Sequence, residues 1–554
     1  MNPGTAEQHP LSDRGKTPPL PAVPMKRADI LAPLCIGAVA ILLIAVAAIR
    51  SVDLFSPDAV SYLRVAQYYA QGRWDLAVNG YWGPLLSWLM IPFLSEADKG
   101  LSAARIVMAL SAIIFLIASI RILFVLGLSR AQIAVGTALV SLFTVFWAVN
   151  MITPDLLMNG LFLGGLAVTL SASSSPRLHF AAGLLYGMAY LAKSVALPMT
   201  ILVIVGLYGF RVLIRRLPAR AALRATGLTL AGMLLLATPW IVIISLQQGA
   251  PTFSTSAAVA HSLVGPGEEF RTHPLFRDFD VPPDGRLTSW EDPSTLDYPE
   301  WSPLADSSMF RHQITVFVRN ILRIVELVSG FDELGLGVVA CVAGFLFHHP
   351  WRERFAQQPW RYSLLIVAPV SALYAPVFAD EPRYYLLFYP LLVGSALAFF
   401  GELADVGRRR SESLRSSNLP AMLAVALVTL SFSAPFLPGV AIALTCGSPT
   451  PEFHVARGFS TQLQGAPEGP IAAVGQNDAR HIAFYTAYLS GRAFYGTRMG
   501  EASVEDILDS GTAFILVTVD SAVDRTLAAD DRFASFPALT GQIADYRLYH
   551  VMAE

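Results

Sequence analysis

Long apolar runs constrain this chain more than anything else in it. They fall near residues 30–49, 102–126, 132–150, 156–172, 179–194, 197–214, 222–246, 333–348, 361–378, 383–401 and 419–443. That makes about eleven segments by the ~20-residue length a spanning helix needs. The division between the fifth and sixth is drawn at Pro198, and 316–330 reads as a further, interfacial helix. Composition agrees: of 554 residues, 54% are hydrophobic and only 14% charged, where a soluble chain carries about a quarter charged. The chain therefore reads as an all-α polytopic membrane protein with about eleven transmembrane helices.

Basic residues set its orientation. Arg211, Arg215, Arg216, Arg220 and Arg224 share one loop, Arg352, Arg354 and Arg361 another, and Arg408, Arg409, Arg410 and Arg415 a third. With the spans above, all three loops lie on the side of Lys26-Arg27, which is then cytoplasmic. Residues 1–28, rich in Pro and polar residues and lacking a signal-peptide core, read as a disordered cytoplasmic tail. Residues 29–444 form the membrane domain, with outer loops 50–101, 247–332 and 379–382. A net charge of −2 speaks against nucleic acid as a partner. Cys35, Cys341 and Cys446 are too scattered for a metal site or a disulfide framework.

The tail, 445–554, has a different composition. Pro470–Val474 and Ala513–Thr518 are short β-like runs, with helical patterns at 478–490 and 503–510 between them. A small extracytoplasmic α/β domain is the expectation, with Asp478, Arg480 and His481 on a surface helix.

The first outer loop carries the feature nearest to chemistry. Ser56-Pro57-Asp58 opens a helical pattern continued by Tyr62, Leu63, Ala66 and Tyr69 and broken at Gly72, after which Gly80-Tyr81-Trp82-Gly83-Pro84-Leu85-Leu86 follows. Ser56 and Asp58 both suit a helix cap. A carboxylate at a water–lipid boundary also suits a general base acting on a hydroxyl.

Asp58, Tyr62, Ala66, Gly72 and Gly83-Pro84-Leu85-Leu86 together resemble the first outer loop of the GT-C glycosyltransferases. The pattern is similar to the protein O-mannosyltransferase, lipid A aminoarabinose transferase and lipopolysaccharide galacturonosyltransferase groups. Many members have Asp-Glu where this chain has Asp58-Ala59, and Asp53 stands at the wrong spacing to replace the missing carboxylate. Further along, Thr153-Pro154-Asp155 resembles a second acidic position, and Gly187–Ser194, with Lys193, resembles a lysine-bearing segment. Ala237-Thr238-Pro239-Trp240 resembles the end of a span, and Arg383-Tyr384-Tyr385 an arginine motif at an outer helix start. Plainer readings stand beside these: Asp155 as a cap, Lys193 reaching for lipid headgroups, and Arg383 paired with Asp380 or Glu381.

The resemblance implies a membrane enzyme of the bacterial cytoplasmic membrane with its active site facing outside. It would move a sugar from a polyprenyl-phosphate donor to a hydroxyl on a glycan, lipid or protein acceptor. Asp58 would be the base and Asp155 its helper, Lys193, Arg383 and Tyr384 would hold the donor phosphate, and Tyr62, Tyr81 and Pro84 would support them. The resemblance fixes no cofactor and leaves a divalent cation open. His261, His273, His312, Glu268 and Glu269 match no zinc spacing and read as a solvated loop. A transporter or flippase for a lipid-linked precursor, or a non-catalytic surface protein, are the other classes. They are separated by whether Asp58, Asp155, Lys193 and Arg383 converge on one cavity.

Overall fold

Each expected apolar run is helical over most of its length in the computed structural model. The structure describes residues 27–552 except 52, 54, 172–174, 268–272, 277, 330–333, 347–357, 411–416, 446–449 and 476–477. The tail before Arg27, Glu268, Glu269, Arg352, Arg354, Arg415 and Cys446 lie outside these residues. Helix α1 (Arg27–Arg50) is followed by the short outer helices α2 (Pro57–Ala70), α3 (Trp74–Ala77) and α4 (Pro84–Met90). Helices α5 (Leu101–Val125), α6 (Arg130–Asn150), α7 (Asp155–Ser171), α8 (Pro176–Ala192), α9 (Ala196–Leu213) and α10 (Ala219–Gln248) then build the bundle. Six helices among the described residues are long and apolar enough to cross a membrane, or seven if the bent pair Leu419–Ser433 and Leu437–Thr445 counts as one span. The chain is a multi-pass membrane protein. Asp155–Ser171 and Gly337–Leu346 are apolar but shorter.

Small residues let the helices touch backbone to backbone, as membrane helices do where water offers no driving force. A Cβ on Gly183 of α8 would sit 2.1 Å from the Thr229 carbonyl of α10, and one on Gly232 would sit 2.3 Å from the Phe180 carbonyl. Pro239 lies inside α10, which runs on past Trp240 to Gln248 instead of ending there. The expected interfacial helix is longer than its pattern suggested, running as α12 (Ser307–Ser329) after the short α11 (Ser256–Ser262).

The tail is richer in strands than expected. Strands β1 (Ile471–Val474), β2 (Phe494–Arg498), β3 (Phe514–Thr518), β4 (Phe533–Ser535), β5 (Leu539–Thr540) and β6 (Asp545–Val551) form one sheet. Its order is β2-β1-β3-β6-β4, with β5 also on β6. β1 is parallel to β2 and β3, pairing Ile471 with Phe514, and β6 runs antiparallel to β3. The helix Asp478–Ser490 is not a surface helix: most of its residues are buried. Tyr485 donates to the Phe55 carbonyl at 3.3 Å and Tyr488 to the Lys99 carbonyl. The long outer loop pairs with the sheet edge, Phe279 bridging Gly496 and Phe494 donating to the Leu287 carbonyl at 2.8 Å. The tail therefore sits on the outer loops, against the base of α2.

Candidate active site

The end of the bundle bearing α2 holds a cavity of about 1020 Å³ lined by Asp58, Tyr62, Tyr81, Asp155, Lys193, Arg383 and Tyr384, among others. These residues come from five places in the chain, four of them at a helix start, a helix end or a single turn, and Tyr81 in the loop ahead of α4. Pro57 at the first position of α2 starts that helix at once, which puts Asp58 in its first turn. Pro154 does the same ahead of Asp155. Lys193 is the residue at which α8 ends, its backbone already extended. Arg383 and Tyr384 sit on a single 3₁₀ turn, Pro382–Tyr385.

Close approach of α4 to the end of α8 locks the Lys193 corner. A Cβ on Gly83 would lie 2.3 Å from the Ala192 carbonyl, so only glycine lets the Gly83-Pro84 turn seat there. Pro84 is buried behind that turn and does not line the cavity. Tyr62 and Tyr81 both pack edge-on against Trp82, with ring centroids 4.9 Å and 4.5 Å away.

Two carboxylate–cation pairs dominate the electrostatics. Arg383 donates to Oδ2 of Asp58 at 2.7 Å, and the Trp290 indole N–H donates to Oδ1 at 2.9 Å. Lys193 Nζ donates to Oδ1 of Asp155 at 2.6 Å, so it does not reach for headgroups. The other oxygen, Oδ2, is buried without a hydrogen-bond partner. The Lys193 ammonium also lies 4.0 Å from the Tyr384 ring centroid, and Tyr384 stacks on Tyr374. Glu381 stands 3.3 Å from Arg383 Nε.

Burial works to raise the pKa of Asp58. The Arg383 charge and the hydrogen bonds from Trp290 and Arg383 outweigh it and hold the carboxyl below its ordinary value. Glu381 goes the other way, raised by burial against the partial offset of Arg383.

Asp53 lies elsewhere, paired with Arg457 of the tail. Of the loop histidines, His273 is exposed as expected, whereas His261 and His312 are half-buried. His261 stacks on Trp301 at 4.2 Å and bonds Gln313, while His312 bonds the Val264 carbonyl. No group of three His, Cys, Asp or Glu residues among the described residues could hold a metal ion. A divalent cation would find five cavity carboxylates, Asp58, Asp155, Glu326, Asp380 and Glu381, each already paired to a side-chain cation, so no step is derived through one.

Sequence reading missed Trp290. It lies on a 3₁₀ turn, Ser289–Glu291, in a loop with no periodicity. Its carbonyl accepts from Ser61 Oγ at 2.7 Å and Trp82 Nε1 at 3.1 Å. The next residue, Glu291, is fully buried and accepts from Arg64, from the Tyr68 hydroxyl and from the Leu287 and Thr288 amides.

No family model and no curated protein matches the chain. Solved structures do. Those of ArnT from Cupriavidus metallidurans, bound to undecaprenyl phosphate and in the apo state, share its architecture with TM-scores of 0.52 and 0.54. Identity is 17% and 16%, over 94% of this chain and 98% and 97% of those. The archaeal oligosaccharyltransferase AglB from Archaeoglobus fulgidus, in complex with an inhibitory peptide and a dolichol-phosphate, gives a TM-score of 0.51. There identity is 12%, over 88% of this chain and 69% of that one. The chain has the GT-C fold. Within that fold, the cavity with its two ion pairs lies beside α2, at the end of the bundle that carries the outer loops.

Proposed function

We propose that this chain is a polyprenyl-phosphate-sugar-dependent glycosyltransferase. It moves the sugar to an acceptor hydroxyl on the outer face of the bacterial cytoplasmic membrane. The observation that carries this reading is the pairing of Asp58 with Arg383 and of Asp155 with Lys193 on one cavity. The GT-C fold, shared with proteins solved with undecaprenyl phosphate and dolichol-phosphate, supports the donor class.

The chemistry is a single displacement. The acceptor oxygen attacks the anomeric carbon, the bond from that carbon to the phosphate oxygen breaks, and the acceptor's proton passes to Asp58. Polyprenyl phosphate leaves with the bonding electrons, and the anomeric configuration inverts. A phosphate leaving group needs positive charge, not a protonating acid. Arg383 can grip it as a fork and Lys193 as a point charge. Both cations are held by carboxylates in the structure. Binding of the donor phosphate draws Arg383 away from Asp58, which removes the charge that depresses Asp58 and makes it a stronger base. Asp155 keeps Lys193 in the cavity.

The test is genetic and chemical. Envelope lipids and glycans are compared by mass between cells lacking the gene and cells complemented with wild type or Asp58→Asn. One sugar residue should be missing from the deletion and from the Asp58→Asn strain, and restored by wild type. Restoration by a membrane-inserted Asp58→Asn protein would overturn the assignment of the base.

A further inference from the structure

We propose that Trp290 is a positioning residue for the Asp58 carboxylate, aiming its open lone pairs at the acceptor hydroxyl. This rests on the reading of Asp58 as the base. An ionised carboxylate offers about four acceptor positions. Trp290 takes one on Oδ1 and Arg383 one on Oδ2, so both oxygens are fixed while each keeps a free site. Of the two holders, Arg383 also serves the donor phosphate and leaves Asp58 when that phosphate binds. The indole then becomes the one fixed donor that still sets the carboxylate's angle during the transfer.

The surroundings of Trp290 suit a fixed donor. The ring is buried, at 4% exposure. Its carbonyl is held by Ser61, one turn beyond Asp58 on α2, and by the Trp82 indole. Glu291 ties the same turn to α2 again through Arg64 and Tyr68. The turn that carries Trp290 is thus cross-linked to the helix of Asp58 by three side chains, Ser61, Arg64 and Tyr68, although 232 positions separate Trp290 from Asp58 in sequence. Such rigid support is what a productive geometry needs, since small misplacements of a base cost large factors in rate.

The experiment uses purified full-length protein in detergent or nanodiscs, with the donor and acceptor that the envelope analysis identifies. Trp290→Phe keeps the ring packing and removes the N–H. Loss of one charge-assisted hydrogen bond should lower kcat on the order of ten- to a hundredfold. KM for the donor should stay within about twofold, because no donor contact is lost. Removing a donor to the carboxylate also favours its protonated form, so the acid limb of the kcat–pH profile should move to higher pH.

The charged and titratable groups facing Asp58 are Arg383, Lys193, Glu381, His273 and the phenols of Tyr62, Tyr81, Tyr384 and Tyr485. None of them is altered in the variant. If Trp290→Phe fails to bind polyprenyl phosphate, 3-benzothienylalanine at position 290 removes the same N–H with the ring shape intact, and the same two readouts apply. Unchanged kcat with an unmoved acid limb overturns the positioning role. If Asp58→Asn is itself active, the base reading fails instead, so the two failures are distinguishable.

Discussion

Two ends of the same bundle carry buried ion pairs, and they are built differently. At the end away from the cavity, Arg361 donates to Glu402 at 3.1 Å and to the Gly344 carbonyl. Glu402 also accepts from Gln358 and from the Trp360 indole. The arginine is 1% exposed and lies outside the cavity lining. At the other end, Asp58–Arg383 and Asp155–Lys193 border open space, and one Asp155 oxygen is left without a partner. The structural pair is tied to neighbouring side chains and a backbone carbonyl. The pairs at the cavity keep acceptor sites and cations that a substrate can take over. The difference teaches that a buried charge in a membrane protein becomes a functional candidate through the cavity it lines, more than through its burial.

Substitutions at the two ends should therefore fail in different ways. Arg383→Ala should cost on the order of 10²–10³ in kcat and also raise KM for the donor, in addition to any stability lost by stranding Asp58. Arg383→Lys should recover only part of that loss, because it keeps the charge and loses the fork. At the far end, Arg361→Met should lower stability by about 3 kcal/mol, since it strands part of Glu402, yet leave the turnover of folded protein unchanged. Thermal unfolding in detergent alongside initial rates separates the two outcomes. Equal activity losses at both ends would erase the distinction.

A smaller effect lies in the pH dependence. In the free protein, Arg383 and Trp290 hold Asp58 below its ordinary carboxylate range. Its basic form then persists to acidic pH, and activity is lost only as pH falls through that lowered value. In the donor complex the phosphate shares Arg383 and brings negative charge, both of which raise Asp58. The acid limb of kcat should thus lie at higher pH than that of kcat/KM for the donor. Coincident limbs would mean that the donor leaves the Asp58–Arg383 pair intact. The smallest effect belongs to an exposed pair: Arg457→Ala, which frees Asp53 at the tail contact, should cost less than about 1 kcal/mol and no activity.

Much of this was legible in the sequence, and for reasons specific to its parts. The spans announce themselves because hydrocarbon demands continuous apolar runs. Asp58, Asp155, Lys193, Arg383 and Tyr384 stand at run ends, where a charge is conspicuous and where Pro57, Pro154 and Pro382 mark helix starts. β1 and β3 are buried on both faces and read as unbroken apolar runs. β2, β4, β5 and β6 were hidden, because they are short or partly exposed. Trp290 and Glu291 were hidden more deeply. Their loop has neither period nor motif, and they matter only because tertiary folding lays that loop across α2. Asp478–Ser490 was seen as a helix but misplaced at the surface, since the helix Pro451–Gln462 packs on it along with Phe55, Lys99 and Phe276 of the outer loops.

The most direct measurement pairs binding with transfer in one preparation. Polyprenyl phosphate binding and sugar transfer are measured on purified wild-type, Asp58→Asn and Arg383→Ala proteins. The account predicts that Asp58→Asn binds polyprenyl phosphate at least as well as wild type and transfers at least about a hundredfold more slowly, whereas Arg383→Ala loses both. Transfer by Asp58→Asn at near the wild-type rate would contradict it.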